Sequence, residues 1–514
     1  MDGQTENRPE DWGPFGRPIF ADPAARALER VAVVDIGSNS VRLVVFDGAA
    51  RSPAYFYNEK VMAGLGADMA DTGRLNPDGK PRALAALRRF ARLAVGMGAD
   101  PITFVATAAM RDAEDGPSFQ AEVEDAIGQT VHVITGDEEA RLSAQGVLLG
   151  WPGAYGLVCD IGGSSMELAE LSAGRVGKRV SSKLGPLRLR TLGGGEKALR
   201  RHIASRIAEL AETMGPQNDR LFLVGGSWRA IARIDMARRN YPLAVLHEYR
   251  MSRSDVLATV RLIRDNDIGD LRQKVGISEA RAALVPLAAR VLGELVRTFK
   301  PHDIAVSSYG LREGMLYEQM PQALRDRDPL IEACRFAEAK DARMPGFGAQ
   351  LYSFLAPLFP DPSEVDSRLI KAACLLHDVS WRAHPDYRHE VVFDNVTRAN
   401  LGGLRHGERI FLGLALLHRY KNNRAGSRFG PLFDLLKKTE LRRAEVLGKA
   451  MRFGAMFAAG SPDQMGRLDW QPAKKRLTLH LANDGALLFG EVAEARLKAL
   501  ASSLGARSVA VVRS

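Results

Sequence analysis

A short motif that occurs twice limits the folds available to this chain. The segments VVDIGSNSVRLVVF (33–46) and VCDIGGSSMELAEL (158–171) align without a gap at an offset of 125 residues, which places Asp35 on Asp160. Each copy is an apolar β-prone run, an aspartate, a turn rich in glycine and serine, and a second apolar run. This pattern predicts two antiparallel strands joined by a tight turn. We therefore expect two related halves, each built around one such hairpin.

The turn inside each hairpin has the composition of a phosphate-binding loop. Glycines and small hydroxyl side chains expose backbone N–H groups to an anion, and the preceding aspartate can hold a hydrated divalent cation. A plain tight turn uses the same residue types, but it has no reason to recur with the same aspartate, glycine and serine. We expect phosphate contacts from Gly37, Ser38, Asn39 and Ser40 in the first turn and from Gly162, Gly163, Ser164 and Ser165 in the second.

Strands and helices alternate through the first 320 residues. Apolar runs predict strands, and leucines at helical spacing predict helices between them. This alternation is typical of an α/β fold. We expect one lobe over 31–151 and a second over 152–320, with a central cleft between them. The main expected elements are strands at 102–107, 131–135 and 221–225 and helices at 81–95 and 198–214.

The remaining sequence has a different pattern. Helical spacing dominates 321–465, as at 367–377 and 408–420, and predicts an all-helical domain. Residues 466–514 are expected to form a small α/β unit, with strands at 476–481, 486–489 and 508–512 and a helix at 492–504. The start of the chain is rich in proline, glycine and charge without any period, which predicts a disordered lead-in over 1–25.

Acidic residues open the helix that is predicted after the strand at 131–135. Asp137 is expected to cap this helix and to place Glu138 and Glu139 in its first turn, where the helix dipole alone favours acidic side chains. The functional interpretation is that one glutamate projects into the cleft and deprotonates a water molecule that attacks phosphorus. Further phosphate contacts are expected at strand-to-helix junctions, from Arg111, Gly225, Gly226 and Ser227.

The net charge of the 514-residue chain is +10, and the positive charge is concentrated. Residues 401–480 hold 16 Lys or Arg against 6 Asp or Glu, and 178–201 is a second basic stretch. Such stretches indicate a polyanionic partner, although solvated helix faces have the same composition. We define a candidate polyanion track from six residues of these stretches: Lys183, Arg188, Lys437, Lys438, Arg442 and Arg443.

The composition is that of an ordinary globular protein. No apolar run reaches the ~18–20 residues that span a bilayer, and the N-terminal residues lack the pattern of a secretory signal. We therefore expect a cytoplasmic protein with no membrane partner. Its three cysteines, Cys159, Cys334 and Cys374, have no metal-binding spacing and are expected to stay reduced.

Five motifs occur in the order and spacing of a known family: DIGSNSVRLVVF, GDEEARL, DIGGSSMEL, VGGSWRAIARI and SSYGLREGML. Over 31–320 the chain resembles the exopolyphosphatase/guanosine pentaphosphate phosphohydrolase family, which belongs to the actin-like ATPase and sugar kinase superfamily. The resemblance implies two duplicated actin-like (ribonuclease H-like) lobes and, by similarity to the longer members, a homodimer. It also implies Mg²⁺-dependent hydrolysis of terminal phosphates. The implied catalytic residues are Glu139, Asp160 and Glu167, with Glu139 as the base, and the implied metal ligands are Asp35, Asp160 and Glu167.

Two features depart from the family pattern or extend it. Ser164 and Met166 stand where the family usually has glycine and threonine, and the Cβ of Ser164 is expected to restrict the approach of an anion. In the helical region, His377 and Asp378 resemble the core pair of HD-type metal phosphohydrolases. The histidines that follow this pair are His384, His389, His406 and His418. A pair satisfied within the core is the alternative, and we expect an HD-like fold without the metal chemistry.

These features together predict an exopolyphosphatase that processively removes terminal phosphate from inorganic polyphosphate. Guanosine pentaphosphate is the alternative substrate, but the basic stretches favour a polymer because guanosine needs an aromatic slot. A sugar or acetate kinase and a non-enzymatic polyphosphate-binding protein are the other classes, and nucleic acid is not expected as a partner. Trp228 follows the third glycine turn and is expected to crowd an adenine, which argues against ATP.

Overall fold

The computed structural model describes residues 30–47, 51–217, 219–458 and 460–513. They form two compact units, an N-terminal unit that ends at Asp326 and a C-terminal unit that begins at Arg327. The disordered lead-in predicted over 1–25 lies outside the described residues.

The first sheet of the N-terminal unit has the strand order β3-β2-β1-β4-β5. Its strands are β1 (Arg30–Ile36), β2 (Val41–Asp47), β3 (Ala54–Val61), β4 (Ile102–Ala106) and β5 (Val131–Val133). Strands β1 to β3 form an antiparallel meander, while β4 and β5 run parallel to β1. The central strand β1 is apolar almost throughout because both of its faces are buried.

The second sheet has the order β10-β11-β9-β6-β7-β8. Its strands are β6 (Gly156–Ile161), β7 (Met166–Ser172), β8 (Arg175–Ser182), β9 (Arg220–Val224), β10 (Arg250–Met251) and β11 (Asp303–Val306). Read from β8, the first five strands repeat the order and the directions of the first sheet, and β10 adds an antiparallel edge. The two predicted hairpins are therefore β1–β2 and β6–β7.

Helices cover both sheets of the N-terminal unit. They are α1 (Met69–Thr72), α2 (Gly79–Gly96), α3 (Ala108–Asp112), α4 (Gly116–Ile127), α5 (Gly136–Gly150), α6 (Pro186–Arg190), α7 (Gly195–Met214), α8 (Gly226–Arg238), α9 (Arg253–Asp265), α10 (Ile268–Val275), α11 (Glu279–Ala282), α12 (Val285–Phe299), α13 (Leu311–Gln319) and α14 (Gln322–Arg325). Helix α2 packs against β1 and β2, and α12 packs against α7, α8 and α9. Each sheet thus has its own apolar core.

Helix α5 follows the first sheet in the chain but packs against β7 and β8 of the second sheet and against α13. Two glycines allow this close crossing. A Cβ at Gly146 would lie 2.1 Å from the carbonyl oxygen of Gly310, and a Cβ at Gly314 would lie 1.7 Å from that of Leu142. Because α5 begins beside the first sheet and packs on the second, its first turn lies between the two sheets.

The C-terminal unit is mainly helical. Its helices are α15 (Pro329–Asp341), α16 (Phe347–Leu355), a 3₁₀ turn (Ala356–Leu358), α17 (Glu364–Leu376), α18 (Arg388–Arg398), α19 (His406–Tyr420), α20 (Gly430–Phe433), α21 (Lys438–Phe457), α22 (Pro462–Met465), α23 (Asn483–Leu488) and α24 (Glu491–Leu504). Helix α19 packs against α17, α18 and α21 and is buried along almost its whole length. An apolar sequence of this length without amphipathic alternation is typical of a central helix.

A three-stranded sheet ends the C-terminal unit, with the order β12-β13-β14. The strands are β12 (Gly466–Gln471), β13 (Arg476–Leu481) and β14 (Ser508–Arg513). The strand predicted at 486–489 is wrong, because those residues fall in and just after helix α23. A short apolar run does not distinguish strand from helix by its period. The third strand of the sheet is β12 instead, which the sequence analysis missed.

No helix of the described chain is both long enough and apolar enough to cross a membrane. All three cysteines are buried and carry free thiols.

Candidate active site

The two hairpin turns face one cleft of about 220 Å³ in the N-terminal unit. Asp35 at the end of β1 and Asp160 near the end of β6 both line it, together with Glu139 from the first turn of α5. Side chains from two distant segments with the same motif therefore meet at one place. This is the arrangement that the repeat predicts.

The two turns have the same internal hydrogen bond. The amide of Gly37 donates to the carbonyl of Ser40 at 3.1 Å, and the amide of Gly162 donates to the carbonyl of Ser165 at 3.0 Å. Of the eight predicted phosphate-binding turn residues, seven line the cleft: Gly37, Ser38, Asn39, Ser40, Gly162, Gly163 and Ser165.

Ser164 is the turn residue that does not line the cleft. It is buried, and its hydroxyl donates to the hydroxyl of Ser38 at 3.1 Å, so it joins one turn to the other. Its Cβ therefore does not restrict the approach of an anion from the cleft, contrary to the expectation from the sequence.

The start of α5 determines which glutamate reaches the cleft. Thr135, and not Asp137, caps the helix: its hydroxyl accepts from the amide of Glu138 at 3.2 Å, while the Glu138 carboxylate accepts from the amide of Thr135 at 2.9 Å. This capping box occupies Glu138. Glu139 is the next residue along the helix and is 7% exposed, with its side chain in the cleft wall.

The carboxyl groups of the cleft repel one another. Burial, and then the charge of Asp160, raise the pKa of Glu139 to about 8. Arg111 opposes this shift, since its Nη1 lies 3.4 Å from Oε2 of Glu139. Burial also raises the pKa of Asp160, which accepts a hydrogen bond from the hydroxyl of Ser143. A proton acceptor that titrates near neutral pH suits general-base chemistry.

Glu167 is buried next to Asp160 and does not itself line the cleft. It pairs with Asp160 across β6 and β7 and is 1% exposed. Its Oε1 accepts from the hydroxyl of Ser181 at 2.9 Å, whereas its Oε2 is buried without a hydrogen-bond partner among the described residues. Burial, followed by the charge of Glu139, raises the pKa of Glu167.

Five cations that the sequence analysis did not single out also line the cleft: Arg42, Lys60, Arg229, Arg281 and Arg312. Arg312 donates to Asp35 at 2.6 Å and fixes that carboxylate. Burial and the neighbouring arginines lower the pKa of Lys60 to about 8, and burial with Arg312 and Arg281 lowers that of Arg229 to about 10. The cations thus crowd one another, and a multiply charged anion would relieve their repulsion.

Three of these cations stand in motifs that were already recognised. Arg42 aligns with Glu167 in the repeat, so the two hairpins differ in charge at equivalent positions. Arg229 follows the third glycine turn, and Arg312 belongs to SSYGLREGML. Lys60 on β3 and Arg281 on α11 belong to no motif, and only the fold brings them to the cleft.

The third glycine turn, Gly225 to Ser227, lies in the cleft wall at the start of α8. Gly225 has φ +114°, and a Cβ there would lie 2.6 Å from the carbonyl oxygen of Ile161, so the position requires glycine. Trp228, in contrast, is fully buried and donates from Nε1 to the carbonyl of Cys159 at 3.1 Å. It does not line the cleft, and the argument against ATP from Trp228 is therefore wrong.

Arg111 does not itself line the cleft. It donates to the carbonyl of Ile134 at 3.0 Å and contacts both Glu139 and Asp112. Asp112 also forms an ion pair with Arg188 of the candidate polyanion track, at 3.3 Å. Arg111 is therefore placed to hold Glu139 in position.

Three of the six residues of the candidate polyanion track are engaged within the protein. Besides Arg188, Arg442 donates to two carbonyl groups at the end of α24, and Arg443 forms an ion pair with Asp366 at 2.6 Å. Lys183, Lys437 and Lys438 are exposed. The lysines are the members of the track with charge available to a ligand.

The HD-like pair is satisfied within the C-terminal unit. Arg343 donates from Nε and Nη2 to the two oxygens of Asp378, at 2.8 and 2.6 Å, and Nδ1 of His377 lies 2.8 Å from the carbonyl oxygen of Cys374. Burial lowers the pKa of His377 to about 4. A guanidinium thus takes the carboxylate oxygens that a metal would need.

The carboxylates in the cleft fit Mg²⁺ if water and phosphate oxygens supply the remaining ligands. The part of the chain that the structure describes has no cluster of three or more His, Cys, Asp or Glu side chains that could hold a metal by itself. Mg²⁺ commonly takes only one or two carboxylates and completes its shell with water and phosphate oxygens. Asp35 and Asp160, both in the cleft wall, supply oxygen donors of that kind.

Comparison with known proteins gives the family of the chain. The model of the Ppx/GppA phosphatase family matches residues 30–323, and a model described as the exopolyphosphatase C-terminal region matches residues 347–512. The chain belongs to the Ppx/GppA phosphatase family. The family resemblance seen in the five motifs is thereby confirmed.

Named relatives are similar to the N-terminal part of this family member. Exopolyphosphatase 2 of Mycobacterium tuberculosis is 29% identical over 323 residues, which cover 56% of this chain and 98% of the relative. Exopolyphosphatase 1 of Mycobacterium bovis is 24% identical over 322 residues, which cover 59% of this chain and 92% of the relative. The crystal structure of an exopolyphosphatase from Cytophaga hutchinsonii superposes with a TM-score of 0.52 at 23% identity, over 57% of this chain and 97% of the other. That structure shares the fold.

Proposed function

We propose that the protein is an exopolyphosphatase, which hydrolyses the terminal phosphate of inorganic polyphosphate. The observation that carries this proposal is the charge of the cleft: five cations line it beside the three carboxylates Asp35, Glu139 and Asp160. The carboxylates provide a place for chemistry, and the surplus of cations suits an anion that continues beyond the reacting phosphate. The names of the similar proteins support the same activity.

The lining of the cleft favours a polymer over a guanosine nucleotide. None of the described residues in the cleft wall is aromatic, and the apolar contribution comes from aliphatic side chains such as Met62 and Leu284. A guanine base commonly stacks on an aromatic ring, which the described residues of this wall do not offer, and the arginines of the wall carry charge that a phosphate chain can neutralise. Guanosine pentaphosphate remains the alternative substrate of the same chemistry.

The proposed reaction uses the two turns as a clamp. Amides and hydroxyls of the turns after β1 and β6 hold the oxygens of the terminal phosphate. Glu139, held by Arg111, removes a proton from a water molecule as its oxygen bonds to phosphorus. The bond from that phosphorus to the bridging oxygen breaks, and the chain leaves shortened by one unit. Mg²⁺, when bound at Asp35 and Asp160 with Glu167 behind them, would neutralise charge on the phosphate oxygens.

Several finer expectations are part of this proposal. The shared strand order and the shared turn hydrogen bond support two duplicated actin-like lobes. We further propose an HD-like fold for the helical region, since His377 and Asp378 are buried together just after α17. A homodimer and a cytoplasmic location stay predictions from the sequence.

A substrate panel tests the proposal. Phosphate release is measured with Mg²⁺ from long polyphosphate, guanosine pentaphosphate and ATP, with and without a sugar or acetate acceptor. We expect the highest kcat/KM for polyphosphate and no requirement for an acceptor. Turnover of ATP only in the presence of an acceptor would overturn the proposal in favour of a kinase, and release from guanosine pentaphosphate alone would favour the alternative substrate.

A further inference from the structure

Three arginines of the C-terminal unit lie on neighbouring helices. Arg419 is in the last turn of α19, Arg452 is on α21 and Arg496 is on α24. Helix α21 packs against both α19 and α24. The burial of all three side chains is at least partial, so they are not freely solvated surface groups.

Arg419 is buried without a counterion. It is 8% exposed, and its Nε atom has no hydrogen-bond partner among the described residues. Its guanidinium lies 4.9 Å from the centre of the Tyr420 ring, and that of Arg388 lies 5.6 Å from the same ring. A buried guanidinium normally forms hydrogen bonds or an ion pair, because an unpaired buried charge is costly.

The acidic group near Arg419 is already used. Asp378 adds its charge to the surroundings of Arg419, but Arg343 takes both of its oxygens. Position at the C-terminus of α19 stabilises a cation through the helix dipole, but the dipole leaves Nε without an acceptor.

The other two arginines show the same deficit. The Nε atom of Arg496 is also buried without a partner, and Arg452 makes no hydrogen bond or ion pair within the described chain. Burial, together with the charges of Arg496 and Arg419, lowers the pKa of Arg452 to about 10. The charges of Arg419 and Arg496 thus both act on Arg452, and the acidic group near Arg419, Asp378, is already bound by Arg343.

We propose that Arg419, Arg452 and Arg496 form an anion site that binds a phosphate oxyanion. A guanidinium presents paired N–H donors that match two oxygens of a tetrahedral phosphate, and a bound dianion would remove the mutual repulsion. The phosphate could be free inorganic phosphate or one unit of a polyphosphate chain. This site is argued from the C-terminal unit alone and does not depend on the function proposed for the cleft.

Hydrogen–deuterium exchange of the full-length protein tests this site. The Glu139→Gln variant is the background, and free phosphate is measured in every sample, so that the result does not depend on the role of Glu139. Exchange is followed with inorganic phosphate or with long polyphosphate, against chloride at equal ionic strength. We expect phosphate to slow exchange at the C-terminal end of α19 and in the segment that follows it. Because exchange is located by peptide, binding in the cleft is recorded separately.

Substitution then identifies the ligands. Arg452→Gln, at a half-buried position, should raise the phosphate concentration needed for half-maximal protection roughly tenfold, because a charge-assisted hydrogen bond is lost. Arg398→Gln is the control, because Arg398 is an exposed arginine of the same unit that pairs with Asp394. Arg419 is buried, so the exchange of Arg419→Gln is compared only together with its unfolding temperature. Arg452 is half-buried, so Arg452→Gln is the variant on which the test depends.

The possible outcomes distinguish free phosphate from polyphosphate as the ligand, and they also include results that would overturn the proposal. Protection by inorganic phosphate assigns the site to the free ion, and protection by polyphosphate alone assigns it to a unit of the polymer. Absence of protection at α19 with both ligands would overturn the proposal. So would an equal loss of protection in the Arg398 control.

Discussion

Replacing Glu139 with glutamine should make the N-terminal unit more stable as the pH rises. The folded protein raises the pKa of Glu139 from 4.5 to about 8 through burial and the charge of Asp160. Between these two pH values the folded state keeps a proton that the unfolded state has lost. The wild type therefore loses stability through this window, whereas glutamine resembles the protonated acid and does not.

The structure sets a ceiling on the effect. A pKa shift of one unit corresponds to about 1.4 kcal/mol, so the shift of Glu139 allows at most about 5 kcal/mol once the residue is ionised in both states. Part of this cost is shared with Asp160 and Glu167, whose pKa values are also raised by burial. We expect the variant to gain at least ~1 kcal/mol in free energy of unfolding between about pH 4.5 and pH 8.

Urea unfolding of both proteins across a pH series provides the assay. Glu138→Gln is the matched control, because Glu138 is the neighbouring residue and the amide of Thr135 lowers its pKa. Its contribution to stability is present above its unfolded pKa and is lost as the pH falls, which is the opposite sign. A difference between Glu139→Gln and wild type that stays constant across the series would refute the account of a carboxyl held in a destabilising environment.

Three further results are expected. Arg281→Gln should raise the KM for polyphosphate about tenfold, because a charged contact is lost. Arg233→Gln is the control and should leave the KM unchanged, because Arg233 is exposed and lies outside the cleft wall. Equal KM values for wild type and Arg281→Gln in steady-state assays would exclude a substrate contact at Arg281. Chelation of divalent cations should abolish phosphate release and Mg²⁺ should restore it, so an unchanged rate in the chelator would contradict the role given to the carboxylates. Charge reversal of Lys437 and Lys438 should weaken the binding of long polyphosphate more than that of short oligomers in binding titrations. An equal loss of affinity for long and short chains would exclude these lysines from the polyanion track.

The parts of the site that the sequence predicted are those that local patterns encode. A strand followed by a tight turn needs particular residues at fixed positions, and the second copy made chance a poor explanation. The turns after Asp35 and Asp160, and Glu139 at a helix start, could be located for this reason. The choice between Glu138 and Glu139 also follows from a local rule, since Thr135 and Glu138 form a capping box.

The cations of the cleft were missed because they come from distant parts of the chain. Lys60 stands on a strand whose side chains are mostly exposed, and Arg281 stands on a four-residue helix, so neither has a recognisable local pattern. Arg42 could have been found, because the repeat aligns it with Glu167 and an inverted charge at equivalent positions indicates different tasks.

Two wrong expectations have physical causes. Trp228 was assigned to a binding surface because it follows a glycine turn, but position along the chain does not determine which face of a helix is buried; its indole is in the core. Residues 486–489 are apolar enough for a strand, but Leu487 and Leu488 are exposed on helix α23, and the period of so short an apolar run does not distinguish a strand from a helix.

The most direct test of the central claim is the rate of phosphate release from long polyphosphate by wild type and by Glu139→Gln, with Mg²⁺ present. If Glu139 deprotonates the attacking water, kcat should fall by at least ~10²-fold while polyphosphate still binds. Equal rates for the two proteins would contradict the role of Glu139 as the base that activates the attacking water.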